Sequence, residues 1–174
     1  REIAEQLGFC NARKHDSQDI CFVPNGDYVK FMEQYTGKQY PAGAFLDLEG
    51  QTVGRHCGAV RYTLGQRKGL GLAMGEPVYV CGKNMAANTV TVGPENALYS
   101  SMLLAEDMNW ISIPQLKQPM RVKAKTRYRQ AEQWAAVYPE QHGRVRLEFD
   151  VPQRAVTVGQ AVVLYDGDVV VGGG

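Results

Sequence analysis

The chain has 174 residues, 44% hydrophobic and 21% charged, so it can bury a core and does not have the composition of a disordered segment. Its formal net charge of +1 points to no polyanionic partner, and only a local cluster of cations can argue for one. No apolar run approaches the length of a membrane span and the first residues do not have the form of a signal peptide, so no membrane partner is expected.

Residues 1–10 place Ile3, Ala4, Leu7 and Cys10 at helical spacing. The polar stretch 11–20 reads as a loop. The segment from Asp27 to Tyr35 reads as a short helix, with Asp27 as N-cap and Gly37 as its stop; Tyr28, Phe31, Met32 and Tyr35 share one face, most simply a core contact. After Pro41 glycines become frequent and short β-type runs lie between them, at 58–63, 77–81 and 88–92, which predicts a compact, turn-rich β module. From about Leu98 the predicted strands lengthen, at 121–129, 134–138, 144–149 and 161–165. Asp166-Gly167 between two Val-rich runs predicts a hairpin. The fold class expected is mainly β: a short N-terminal helical remnant, a small glycine-rich β central domain and a C-terminal antiparallel β-barrel. The boundaries expected are 1–40, 41–95 and 96–174. Neither end reads as a natural terminus, so a piece of a longer protein is expected, with the barrel cut short at its end.

The segment from Met120 to Arg129 alternates with period two. Met120, Val122, Ala124, Thr126 and Tyr128 point one way; Arg121, Lys123, Lys125, Arg127 and Arg129 point the other. A row of cations without an intervening acid repels itself unless an anion screens it, and a phosphate backbone does so. A solvated outer strand face is the plainer alternative.

The string Tyr62-Thr63-Leu64-Gly65-Gln66-Arg67-Lys68-Gly69-Leu70-Gly71 has neither the ending of a phosphate loop nor dinucleotide-binding spacing. It is either a structural turn or a loop that presents Gln66, Arg67 and Lys68 to RNA or to a partner domain. The cysteines, Cys10, Cys21, Cys57 and Cys81, are too sparse for a secreted disulfide framework, and with His15, His56 and His142 they do not make a zinc site; a cytoplasmic protein with reduced thiols and no metal is expected. Cys10, Cys57 and Cys81 read as small buried hydrophobes. Cys21 lies on a loop between Ile20 and Phe22; Arg13 and Lys14 favour a thiolate there, Asp16 and Asp19 oppose it, and a reactive and an inert thiol both remain open.

Several of these segments together resemble the tRNA-specific 2-thiouridylases. Lys14-His15-Asp16-Ser17-Gln18-Asp19-Ile20-Cys21-Phe22 resembles that family's sulfur-relay segment. Gly54-Arg55-His56-Cys57-Gly58 and the Tyr62–Gly71 string resemble its central domain. Ala124-Lys125-Thr126-Arg127-Tyr128-Arg129-Gln130, Val158-Gly159-Gln160 and Gly172-Gly173-Gly174 are similar to its C-terminal barrel. The family is sometimes labelled a methyltransferase, but nothing in this chain resembles a methyl-donor site. The resemblance implies an ATP-dependent enzyme that thiolates C2 of the wobble uridine of tRNA. It implies Cys21 as the catalytic persulfide carrier, able to form a disulfide with a second cysteine elsewhere in the protein. It implies Arg127, Tyr128 and Gln160 as tRNA contacts, beside Lys125 and Arg129 of the basic strand. ATP with Mg belongs to an N-terminal domain whose Ser-Gly-Gly-x-Asp-Ser loop is not in this chain, so no cofactor is expected here and the piece alone is expected to be inactive. The partners implied are tRNA, a sulfur-donor protein and that N-terminal domain. The competing reading is a stand-alone RNA-binding β-barrel module similar to a translation-factor domain.

Overall fold

A computed structural model describes residues 2–10, 12, 13, 23 and 27–174 of the chain. Cys21 and the segment around it lie outside the described residues. The chain divides into two units, Arg1–Tyr40 and Pro41–Gly174.

In the first unit, helix α1 spans Glu2–Gln6. It stops there because Gly8 turns left-handed, with φ +71°, and the amides of Gly8 and Phe9 return to the carbonyls of Glu5 and Ala4, the pairing of a Schellman cap. The predicted stripe is thus cut short: Ile3, Leu7 and Cys10 are exposed, against the expectation that they pack. Helix α2 spans Tyr28–Thr36; the Asp27 carboxylate accepts from the Lys30 amide at 3.1 Å, and Gly37 closes the helix at φ +67°. The buried residue of α2 is Val29, whereas Tyr28 and Tyr35 stay exposed and Phe31 stacks on Tyr35 with ring centroids 5.9 Å apart. Periodicity locates an apolar stripe but does not say which flank of it is covered.

The second unit holds two sheets. The first has four short strands, β1 (Gly43–Leu46), β2 (Thr52–His56), β3 (Tyr79–Asn84) and β4 (Thr89–Gly93), in the order β2-β1-β4-β3. Strand β1 runs antiparallel to β2 and parallel to β4. Phe45, Val80, Val90 and Val92 form its core with Ala59, Tyr62 and Leu70. The run 58–63, expected as a strand, contains a turn of 3-10 helix at Ala59–Arg61. Gly58 at φ +106° swings the chain out of the sheet, and the Ala59 amide is taken by the Asn88 side chain.

The second sheet has seven strands: β5 (Tyr99–Ala105), β6 (Asn109–Trp110), β7 (Met120–Lys125), β8 (Gln133–Pro139), β9 (Val145–Arg154), β10 (Val163–Asp166) and β11 (Val169–Gly173), in the order β5-β9-β8-β7-β10-β11-β6. All pairings are antiparallel. Its two edges, β5 and β6, are joined by residues 106–108 alone, so the sheet must curl until they approach. The result is a half-barrel around Val122, Ala124, Ala135, Val137, Leu147, Leu164 and Val171. The predicted hairpin at Asp166-Gly167 is present, with Gly167 at φ +58°. The Gly172-Gly173-Gly174 triplet is a close-approach device: a Cβ at these positions would lie 2.6, 2.7 and 2.3 Å from the carbonyl oxygens of Asn109, Val162 and Glu106. The expected class, mainly β with a short helical start, a glycine-rich sheet and an antiparallel barrel, is the one observed.

Candidate nucleic-acid interface

Strand β7 keeps the predicted alternation only as far as Lys125. Val122 and Ala124 are buried inward, and Arg121, Lys123 and Lys125 face out. The run was expected to continue as a strand to Arg129. It turns instead because the Thr126 hydroxyl donates to the Gln130 side chain at 2.7 Å, and Gln130 is held in turn by the buried Gln153 of β9. The Gln130 amide also closes back onto the Arg127 carbonyl at 3.2 Å. Three of the five expected cations therefore share a strand face, while Arg127 and Arg129 lie on a turn. Arg121 is engaged by Asp150 through two hydrogen bonds, one of 2.8 Å. That pairing holds the Asp150 carboxyl below its ordinary pKa and raises that of Arg121, so both groups are charged at neutral pH.

The turn forms one wall of an open cleft of about 800 Å³. Lys125, Arg127, Tyr128 and Arg129 line it from β7 and the turn, Gln160 from the loop before β10, and Tyr165 from β10 itself. Five residues singled out from the sequence thus meet in one place, although Gln160 is more than thirty positions from the others. Tyr128 is 97% exposed, an aromatic face presented to solvent. Lys125 Nζ stands 5.3 Å from the centroid of the Tyr165 ring. Cations around an exposed aromatic in an open groove suit a phosphate backbone with unstacked bases.

Arg127 has a second task. Its Nη2 donates to the Ala155 carbonyl at 2.5 Å and to the Thr157 hydroxyl at 3.2 Å. Ala155 is buried and holds a left-handed backbone, φ +52°, which costs a residue with a Cβ about 1–2 kcal/mol. The guanidinium therefore braces the strained start of the loop that carries Gln160.

The glycine-rich string contains a structural turn. Gln66 is occupied within the loop: its carbonyl oxygen accepts from the Thr63 amide and its Nε2 donates to the Lys68 carbonyl, both at 3.0 Å. Backbone bonds Gly65–Val80 and Val80–Gln66 tie the loop to β3. Arg67 and Lys68 are exposed and do not line the cleft; Thr63 and Leu64 do, beside Thr157. Nothing in their residue types signalled this. Gly65, at φ +82°, lets the loop approach the barrel, since a Cβ there would lie 3.2 Å from that of Ala155.

The Gly-Arg-His-Cys-Gly segment is also architectural. His56 is 1% exposed, with its ring between those of Phe45 and Tyr62. Its Nδ1 accepts from the Gly58 amide at 3.0 Å, which leaves Nε2 as the donor to the Asn88 carbonyl at 3.1 Å. Burial lowers its pKa below the ordinary 6.5. Cys57, expected to be buried, is exposed: it lies between the buried His56 that ends β2 and the buried Gly58. Cys81 is part-buried, and burial raises its pKa. Among the described residues no group of three or more His, Cys, Asp or Glu side chains could hold a metal ion, and no helix is long and apolar enough to cross a membrane.

Two family models match the chain: a tRNA methyl transferase PRC-barrel domain over residues 29–94 and an aminomethyltransferase beta-barrel domain over residues 100–174. Along its whole length the chain is 54% identical to a tRNA-specific 2-thiouridylase MnmA of Acetivibrio thermocellus. It is 50% identical to that of Heliobacterium modesticaldum and 43% identical to that of Clostridioides difficile. It spans 48%, 46% and 48% of these relatives, about half the length of each.

Proposed function

From the premise that the chain belongs to the tRNA-specific 2-thiouridylase family, we propose that it is the tRNA-positioning and sulfur-relay part of an enzyme that exchanges oxygen for sulfur at C2 of a tRNA uridine. The observation that carries this reading is the cleft where Lys125, Arg127, Tyr128, Arg129 and Gln160 converge. We assign residues 96–174 as the tRNA-binding barrel, 41–95 as the central domain that buttresses it, and 1–40 as the end of the catalytic domain. ATP with Mg is assigned to the part of the full-length protein outside this chain. There, adenylation turns the poorly leaving C2 oxygen of the wobble uridine into a good leaving group.

Cys21 carries the incoming sulfur as a persulfide, whose lower pKa makes it a better nucleophile than a thiol. The terminal sulfur attacks C2 and adenylate departs with the oxygen. A second cysteine of the full-length protein then attacks the Cys21 sulfur, which releases the transferred sulfur to the base and leaves a disulfide. The persulfide comes from a donor protein, and the setting is the cytoplasm. Gln66, Arg67 and Lys68 are assigned to the loop and its surroundings rather than to the RNA cleft.

The test is thiolation of tRNA by the full-length protein. Cys21→Ser should abolish product while leaving tRNA affinity within about twofold. A thiolating Cys21→Ser enzyme would overturn the relay assignment, and thiolation by the isolated 174-residue chain with ATP would overturn the division of labour.

A further inference from the structure

The outer face of the barrel carries a second feature that the cleft does not absorb. Strand register places Trp134 of β8 opposite Lys123 of β7, and Lys123 opposite Tyr165 of β10. Three strands therefore present a row, Trp134–Lys123–Tyr165, on the solvent side. Trp134 is 49% exposed although a tryptophan has more apolar surface to bury than any other side chain. Lys123 Nζ stands 5.5 Å from the centroid of the indole and Arg121 Cζ 5.4 Å from it.

Asp150 holds Arg121, and Glu140 and Glu148 hold Arg146. Among the described residues neither Lys123 nor Lys125 forms an ion pair, whereas Arg121, Arg144, Arg146 and Arg154 do. The two lysines are alternate residues on one strand face, about 6–7 Å apart. Lys125 and Tyr165 also line the cleft, so the row is continuous with it.

We propose that this face, centred on Lys123 and Trp134, is a second arm of the RNA interface. A strand leaving the cleft passes Lys125 and then Lys123, each taking a phosphate, and lays an unpaired base or ribose on the Trp134 indole. Lysines suit this as point charges that accept phosphates from many directions, and an aromatic platform is tolerant of sequence. The proposal rests on the RNA reading of the cleft and extends it beyond the residues that the family resemblance singles out.

The test uses the full-length protein and unmodified substrate tRNA, with affinity measured across a salt series. Lys123→Gln should weaken binding and reduce the salt slope by about 0.7–0.9, the share of one phosphate. Trp134→Ala should weaken binding roughly fivefold to a hundredfold with the slope unchanged, and Trp134→Phe should restore most of it. Tyr128→Ala serves as the cleft control, and thermal midpoints check folding. If Tyr128→Ala weakens binding while Lys123→Gln and Trp134→Ala do not, the second arm is wrong and the cleft reading stands. If none of the three changes affinity, the RNA reading itself fails. If Trp134→Ala spares tRNA binding but blocks sulfur delivery from the donor protein, the face is a protein-docking surface and the proposal is overturned.

Discussion

Replacing Arg127 with alanine removes two things at once, and the structure separates them. Its Nη2 bonds to the Ala155 carbonyl and Thr157 hydroxyl are part-buried and charge-assisted, a class that contributes about 1.5–3 kcal/mol. They oppose the strain of about 1–2 kcal/mol in the left-handed Ala155. Without them the loop is held chiefly by the bond from the Ala155 amide to the Leu98 carbonyl, at 2.7 Å, and by Thr157. Opening of residues 156–161 should then become roughly tenfold to a hundredfold more frequent, since each 1.4 kcal/mol is a factor of ten. Native-state hydrogen exchange of those amides measures this directly. Ala155→Gly in the same background should recover part of the loss, because glycine takes this backbone conformation without the Cβ penalty. The charge is read separately: the salt slope of tRNA binding should fall by about 0.7–0.9. Exchange at 156–161 that is unchanged by Arg127→Ala would refute the brace, and an unchanged slope would refute the phosphate contact.

His56 makes stability depend on pH. Its folded pKa is lowered by burial, so between that value and 6.5 the unfolded chain binds more protons than the folded one. The contribution is complete above about pH 6.5 and is lost as the pH falls through the lowered folded value. Urea midpoints at pH 7.5 and 5.5 should differ in that direction. His56→Phe should remove this dependence and cost about 1–3 kcal/mol at pH 7.5, because the Gly58 amide is left buried without a partner; a wild-type midpoint equal at both pH values would count against it. The cysteines should separate by exposure: a thiol reagent should label Cys10 and Cys57 quickly in the native protein, and Cys81, part-buried with a raised pKa, slowly. Peptide mapping that found Cys81 modified as fast as Cys57 would contradict the described packing.

Much of this molecule is set by local chemistry. The capped helix at Tyr28–Thr36, the hairpin at Gly167 and the buried face of β7 follow from spacing, from turn residues and from period-two alternation, and each was legible without coordinates. The family resemblance likewise rested on strings of residues. The sequence could not say where β7 ends, because that depends on Thr126 meeting Gln130 and on Gln130 meeting Gln153, far along the chain. Nor could it say that Arg127 braces Ala155, that Thr63 and Leu64 border the cleft, or that Trp134, Lys123 and Tyr165 form a row. Local propensity and periodicity act over a few residues and determine which elements form and which face of each is apolar. Register, strain and the meeting of side chains from distant strands are decided only when the sheet curls, since the partners that stabilise them come from elsewhere in the chain.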